Sequence, residues 1–426
     1  MIKIGLLGFG TVGSGVAKVL QENFDTIQHK SGQAIYIKRI LERDPQKCVQ
    51  AGIPAETVTQ DINDIIHDPD IDIVIELIGG IEPARTFIIE AMKNGKHVVT
   101  ANKDLIALKG KELLHTAEEQ QVDFYFEASV GGGIPVIMPL KQSLAANNIE
   151  AVIGILNGTT NYILTKMTVE NRDYADVLAE AQALGYAEAN PSSDVEGLDA
   201  ARKIAILASI SFNSRVTVND VFVEGITKIS PLDIRYARDM GYIIKLLAIA
   251  KEEHGSVQVS VYPALLPSNH PLSSVNDSFN AVFIHGDAVG DIMLYGRGAG
   301  QLPTASAVIG DVIEIVRNIE HNSTARIGCT CFAEKPLMPH REIKNKFYVR
   351  LNVVDKPGVL AVISSSFGEN NVSIASVWQK SQDKNRAELV LITHKVKELD
   401  LEKALNSLAD SDCVHNIDNV IRVEGD

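Results

Sequence analysis

Over the first part of this chain, short apolar runs alternate with segments of helical period. Residues 2–7 are apolar apart from one lysine and read as a buried strand. A glycine loop follows, and then apolar positions at Val16, Val19 and Leu20 predict a helix. Further strands are expected at 34–41, 72–77, 97–100, 123–127 and 151–156, with a helix over 84–94. Helix is also expected from Tyr162, and over 174–184, where Val177, Leu178, Ala181 and Leu184 share one face before Gly185. From 216 to 300 the pattern is mixed: a helix over 233–251, then strands over 256–262, 279–285 and 291–295. A helix over 304–318 and a linker at 333–346, rich in Pro, Lys and Glu, come next. The remainder reads strand 347–353, helix 357–370, strands 372–380 and 386–394, helix 400–409 and strand 413–423. That βαββαβ order predicts a ferredoxin-like unit.

The fold class expected is therefore α/β. A Rossmann nucleotide-binding domain would span 1–130 and about 300–320, an α+β substrate and dimerisation domain 131–299, and the ferredoxin-like domain 347–426. At 426 residues the chain exceeds one core. A formal charge of −14 argues against a nucleic-acid partner, and no apolar run reaches the roughly eighteen residues that cross a bilayer. The N-terminus reads as a strand rather than a signal peptide, and the four cysteines are too few and scattered for a disulfide framework, so a cytoplasmic location is expected.

Four stretches carry chemistry. Gly8-Phe9-Gly10-Thr11-Val12-Gly13 lies between strand and helix, the context in which glycines admit a pyrophosphate to a helix N-terminus, although a glycine turn without a ligand has the same spelling. Glu42-Arg43-Asp44 ends the second strand, where an acid favours the ribose of NAD and an arginine the 2′-phosphate of NADP; both types are present. Thr100-Ala101-Asn102-Lys103 ends a strand at the carboxyl edge of the sheet, so Lys103 is either a surface lysine or a cofactor-crevice residue. In the fourth, Ala181 to Lys203, Ser193 and Glu196 have capping-box spacing, which predicts a helix start near Asp194. Asp199 and Lys203 are then one turn apart, before the apolar run IAILASI; Lys203 either snorkels into an ion pair or works.

Ala181, Gly185, Asn190-Pro191, Asp194, Gly197, Asp199 and Lys203 together resemble the signature segment of homoserine dehydrogenases. The resemblance extends to Thr-Ala-Asn-Lys at 100–103 and to Asn157-Gly158-Thr159-Thr160-Asn161, and so covers nearly the whole chain. It implies reversible reduction of L-aspartate 4-semialdehyde to L-homoserine, with Lys203 moving the proton and Lys103 assisting while touching the cofactor. By the same resemblance Glu188, Asp199 and Asp194, with Asn157, Gly158 and Thr159, lie at the substrate. Arg43 and Gly300 join the glycine loop at the cofactor, with NADP expected and NAD also usable. Main-chain oxygens of Glu127, Val130, Gly132 and Ile134 would hold a monovalent cation, sodium by family habit.

Asp355-Lys356-Pro357-Gly358-Val359-Leu360 resembles the first turn of ACT domains. That implies an amino-acid effector, threonine by analogy, near 352–358, or a module used only for assembly as a homodimer or homotetramer. Two other readings compete: an aldehyde-oxidising enzyme with a cysteine nucleophile, for which Cys48 is poorly placed, and a non-catalytic amino-acid sensor. Cys329-Thr330-Cys331 lacks the second pair that zinc spacing needs.

Overall fold

In the computed structural model, which describes residues 1–383 and 385–425, the chain divides into two compact units. Lys384 and Asp426, both within the expected 347–426 module, lie outside the described residues. The first unit comprises Met1–Val152, Arg202–Asp220 and Asn280–Glu334. The second comprises Ile153–Ala201, Val221–Phe279 and Lys335–Asp426.

The first unit is built on six strands: β1 Ile2–Leu7, β2 Ile35–Leu41, β3 Val58–Thr59, β4 Ile73–Glu76, β5 His97–Thr100 and β6 Phe124–Tyr125. Their order is β3-β2-β1-β4-β5-β6, parallel throughout, so the chain reverses direction across the sheet at β1. Ligands of such sheets bind at the carboxyl ends of the strands flanking that reversal. Ile4, Leu6, Ile73, Ile75 and Val99 fill the core, and the helix Gln301–Glu320 joins them through Ala305, Val308, Ile309, Val312, Ile315 and Val316.

In the second unit the strands run Tyr242–Glu253, Ser256–Pro267, Val414–Val423, Lys344–Val354, Arg386–Thr393 and Ile374–Asp383 as neighbours. The last four, with helices Val359–Glu369 and Glu398–Ala409, form the βαββαβ module around Phe347, Leu351, Phe367, Leu391 and Leu408.

Several local expectations are corrected. The predicted helix 233–251 is a short helix, Pro231–Asp239, followed by the strand Tyr242–Glu253. Gly241, at φ +81°, breaks the helix, and the apolar run beyond it is buried on both faces, where periodicity no longer separates strand from helix. Ser193 lies inside a turn rather than at a helix start. Ser192–Val195 is a single turn after Pro191, Gly197 at φ +84° ends it, and the lysine helix starts at Leu198. The expected strand 123–127 shortens to two residues and turns into the 3₁₀ segment Glu127–Ser129. The helix expected from Tyr162 starts at Gly158, capped by Asn157. The linker is shorter, because the first strand of the terminal module already begins at Lys344.

Candidate active site

The glycine loop is shaped by close backbone approach. Gly8, at φ +95°, lies where a Cβ would stand 2.9 Å from the Leu77 carbonyl, and a Cβ on Gly13 would stand 2.2 Å from the Gly8 carbonyl. At Gly10, the N-cap of helix Thr11–Glu22, a Cβ would meet nothing within 4 Å. Packing therefore does not demand a glycine there, and the space above the helix N-terminus is open. A cavity of about 610 Å³ opens there, lined by Gly8, Phe9 and Gly10 on one side and by Glu42, Arg43 and Gln60 on another.

Glu42 is turned onto this loop. Its Oε2 accepts from the Phe9 N–H at 2.9 Å and its Oε1 from the Asp44 N–H at 3.1 Å. Partial burial pushes its carboxyl up, but these N–H donors and nearby Lys47 outweigh that and hold it below the usual range. Arg43 is exposed at the cavity wall, its carbonyl accepting from Gln60 Nε2 at 2.8 Å. Gly300, at φ +126°, caps the helix Gln301–Glu320, and Gln301 Nε2 donates to Ser14 Oγ on the first helix at 2.9 Å.

Lys103 opens the helix Lys103–Glu119, and a chain of hydrogen bonds fixes that start. Glu76, fully buried at the end of β4, accepts from the N–H groups of Ile78 and Gly79 and from Thr100 Oγ1 at 2.6 Å. Thr100 Oγ1 accepts from the Asn102 N–H, and Asn102 caps the helix through Oδ1 to the Leu105 N–H while donating to the Gly80 carbonyl at 2.7 Å. Sequence reasoning missed Glu76. The signal was there: one carboxylate at the carboxyl end of the apolar run DIVIEL.

The residues beside the two lysines meet. Arg202 Nε lies 2.5 Å from Asp104 Oδ1, so the residue after Lys103 is paired with the residue before Lys203. Arg215 adds bonds from Nη2 to the carbonyls of Ala107 and Leu108, both at 3.3 Å. Lys203 is buried on the helix Leu198–Ser211, one turn beyond Asp199.

In the second unit Asn157 ties the acidic residues together. Its Nδ2 donates to Asp194 Oδ1 at 2.7 Å and to Asp199 Oδ2 at 2.9 Å, while its Oδ1 accepts from the Thr160 N–H. Thr159 donates to the Tyr186 carbonyl at 2.6 Å, and Gln182 Nε2 to the Glu188 carbonyl at 3.0 Å. These two bonds hold the loop that carries Glu188, which is exposed.

Around Glu127 the carboxylate is consumed locally, accepting from the N–H groups of Val136, Ile137 and Met138, and the Glu127 N–H donates to buried Asp311. Burial pushes both carboxyls up. Gly131 and Gly132 take φ of +73° and +54°, and the Gly133 N–H donates to the Arg297 carbonyl. Any cation here would thus face main-chain oxygens, beside two buried carboxyls. Among the described residues no group of three or more His, Cys, Asp or Glu side chains could hold a metal ion.

Compared with known proteins, residues 8–127 match the homoserine dehydrogenase NAD-binding domain, residues 135–313 homoserine dehydrogenase, and residues 347–412 the ACT domain. The homoserine dehydrogenase of Bacillus subtilis (strain 168) is 44% identical over 427 residues, covering 100% of this chain and 98% of its own. The chain belongs to the homoserine dehydrogenase family. A Synechocystis homoserine dehydrogenase is 47% identical, covering 99% of each chain. The crystal structure of a homoserine dehydrogenase from Thiobacillus denitrificans superposes with a TM-score of 0.94 at 40% identity, over 99% of this chain and 98% of the other. A hyperthermophilic archaeal homoserine dehydrogenase in complex with NADPH gives 0.63 at 28% identity, over 74% of this chain and 97% of the other.

As a homoserine dehydrogenase, the protein is an NAD(P)-dependent oxidoreductase acting on a CH–OH group, with a C-terminal ACT domain. The non-catalytic sensor reading and the cysteine-dependent one both fall with that assignment. No helix among the described residues is long and apolar enough to cross a membrane.

Proposed function

We propose that this homoserine dehydrogenase reduces L-aspartate 4-semialdehyde reversibly to L-homoserine, with Lys203 as the proton donor and Lys103 assisting. The observation that carries the reading is the Asp104–Arg202 pair, which ties the helix opening at Lys103 to the helix bearing Lys203. Bound NAD(P)H supplies the hydride. Glu188 and Asp199 suit the substrate's ammonium, Asn157 holds Asp194 and Asp199 together beside it, and Gly158 and Thr159 shape the adjoining turn. Lys203 delivers its proton to the alkoxide oxygen of the reduced carbon and takes it back in the reverse direction.

NADP is the favoured cofactor, with NAD usable. Glu42 is engaged with the loop N–H groups and leaves exposed Arg43 to face a 2′-phosphate, and the archaeal relative was solved with NADPH. Phe9, Thr11, Val12 and Gly13 complete the pyrophosphate loop. Main-chain oxygens of Glu127, Val130, Gly132 and Ile134 hold sodium at the turn through Gly131 and Gly132. In the ACT domain a cavity of about 370 Å³ at Val353–Leu360, lined also by Gln379 and Leu389, takes threonine as effector. Assembly is as a dimer or tetramer.

The deciding experiment follows NADPH consumption with aspartate semialdehyde. Replacing the proton donor, Lys203→Ala, should lower kcat by roughly 10²–10⁴-fold with folding intact. Near-normal turnover in that variant removes Lys203 from its role. Arg43→Ala should weaken NADPH about 10-fold or more, as expected for a lost charge-assisted bond, and spare NADH. Equal losses for both cofactors would overturn the 2′-phosphate reading.

A further inference from the structure

One cluster of nucleophilic side chains lies outside the dehydrogenase site, at Cys329 and Cys331. The segment joins the end of the helix Gln301–Glu320 to the strands that follow, and both cysteines are half-buried, with free thiols. The Cys331 N–H donates to Cys329 Sγ at 3.5 Å, so the first sulfur is folded back toward the second residue. Cys331 Sγ in turn donates to the Ser209 carbonyl at 3.6 Å. A small cavity of about 30 Å³ adjoins both cysteines, the volume of about one water molecule, and Lys141 and Arg215 also line it. Lys141 is fixed there by its bond to the Gly328 carbonyl at 3.2 Å and by lying over the Phe126 ring.

These features together describe a thiol with an adjacent second thiol, two cations and room for one small oxidant. The Cys331 side chain is the largest influence on the Cys329 thiol, and with the Cys331 N–H, Lys141 and Arg215 it overcomes partial burial to bring that thiol down to about 6. Two residues of chain span at most about 7 Å, so the Cα atoms stand within or at the edge of disulfide reach.

We propose that Cys329 and Cys331 form a peroxide-reactive dithiol, with Cys329 the attacking sulfur and Cys331 the resolving one. The Cys329 thiolate attacks one oxygen of hydrogen peroxide, the O–O bond breaks, and hydroxide leaves, giving a sulfenic acid at Cys329. The Cys331 sulfur then attacks the Cys329 sulfur. The S–OH bond breaks, the Cys331 thiol proton joins the departing hydroxyl, and water leaves as the disulfide forms. The two sulfurs lose two electrons in all and the peroxide gains them.

The inference stands apart from the dehydrogenase reading, and its test reads mass rather than turnover. The full-length protein is exposed to hydrogen peroxide, alkylated, digested and analysed by mass spectrometry. The 329–331 peptide should lose its alkylation and appear lighter by two hydrogens, with a thiol reductant restoring the alkylated form. Cys331→Ser should retain a dimedone-trappable sulfenic acid at Cys329. Cys329→Ser should leave Cys331 alkylatable after the same treatment. A wild-type peptide that stays fully alkylatable under peroxide overturns the proposal, and so does oxidation of Cys331 that is undiminished in Cys329→Ser.

Discussion

At the scale of single residues, fixed carboxylates and amides set the lysines in place. Glu76 uses both oxygens on three donors at the carboxyl edge of the sheet, and through Thr100 and Asn102 it determines where the Lys103 helix begins. Glu76→Gln keeps the shape but puts a donor where an acceptor is needed, leaving at least one buried donor unmet. That costs about 1–3 kcal/mol. The expected outcome is a lower denaturation midpoint and weaker NADPH binding, measured by urea titration and fluorescence. An unchanged midpoint would show that Glu76 holds nothing.

Lys245 gives a second residue-scale prediction, in pH. Its ammonium is buried among the Asn161 and Asn276 side-chain oxygens and the Val275 carbonyl. Burial, only partly offset by Asp277, lowers it from the usual 10.5 to about 8. Between those two values the unfolded chain binds more protons than the folded one, so this residue's contribution to stability rises with pH across the window. Comparing wild type with Lys245→Met by urea midpoint at about pH 8 and about pH 10 isolates the effect. The wild type should gain relative to the variant, and parallel curves would contradict it.

At the scale of elements, the glycines decide where helices stop. Gly197 has φ +84°, and a Cβ there would come within 3.0 Å of Val261 and 3.1 Å of Val223. Gly197→Ala should therefore cost about 1–3 kcal/mol and shift the helix start that presents Asp199. The readouts are a lower thermal midpoint together with a raised KM for homoserine, and a variant with both unchanged would refute the argument.

This glycine also shows how far sequence carries. Its type was visible, and Asp199 and Lys203 kept their one-turn spacing, but the local capping pattern Ser193/Glu196 pointed to a helix start several residues too early. Local spacing cannot see that a neighbouring strand leaves no room. The parallel strands and the βαββαβ module were legible because their apolar runs were short and clearly punctuated. The run Tyr242–Glu253 was not, being apolar on both faces. The Asp104–Arg202 and Asn157 contacts join positions distant in sequence, and nothing in either segment alone announces the partner.

At the scale of the whole molecule, the ACT domain is not a removable appendage. Its last strand pairs with Ser256–Pro267 at Ala264–Arg422 and Leu265–Val423. Arg422, buried, bonds Glu398 within the domain and Glu224 outside it, against the rings of Phe222 and Tyr262. A second buried group, Arg350 with Asp233, ties the domain's first strand to the helix Pro231–Asp239 at 2.7 Å. Deleting 347–426 would strand Asp233 and Glu224 without their arginines and uncover a paired strand edge, and losing one partner of a buried ion pair costs about 3–5 kcal/mol. Such a truncation should be insoluble or aggregated by size-exclusion chromatography, so it cannot report on feedback. A point change in the proposed effector cavity can. Gly358, at φ +93° with open space where a Cβ would go, tolerates a side chain sterically but not conformationally. Gly358→Val should distort the turn at the head of the helix Val359–Glu369 and raise the threonine concentration that half-inhibits the enzyme. If inhibition by threonine is the same in Gly358→Val as in the wild type, threonine does not act through this cavity.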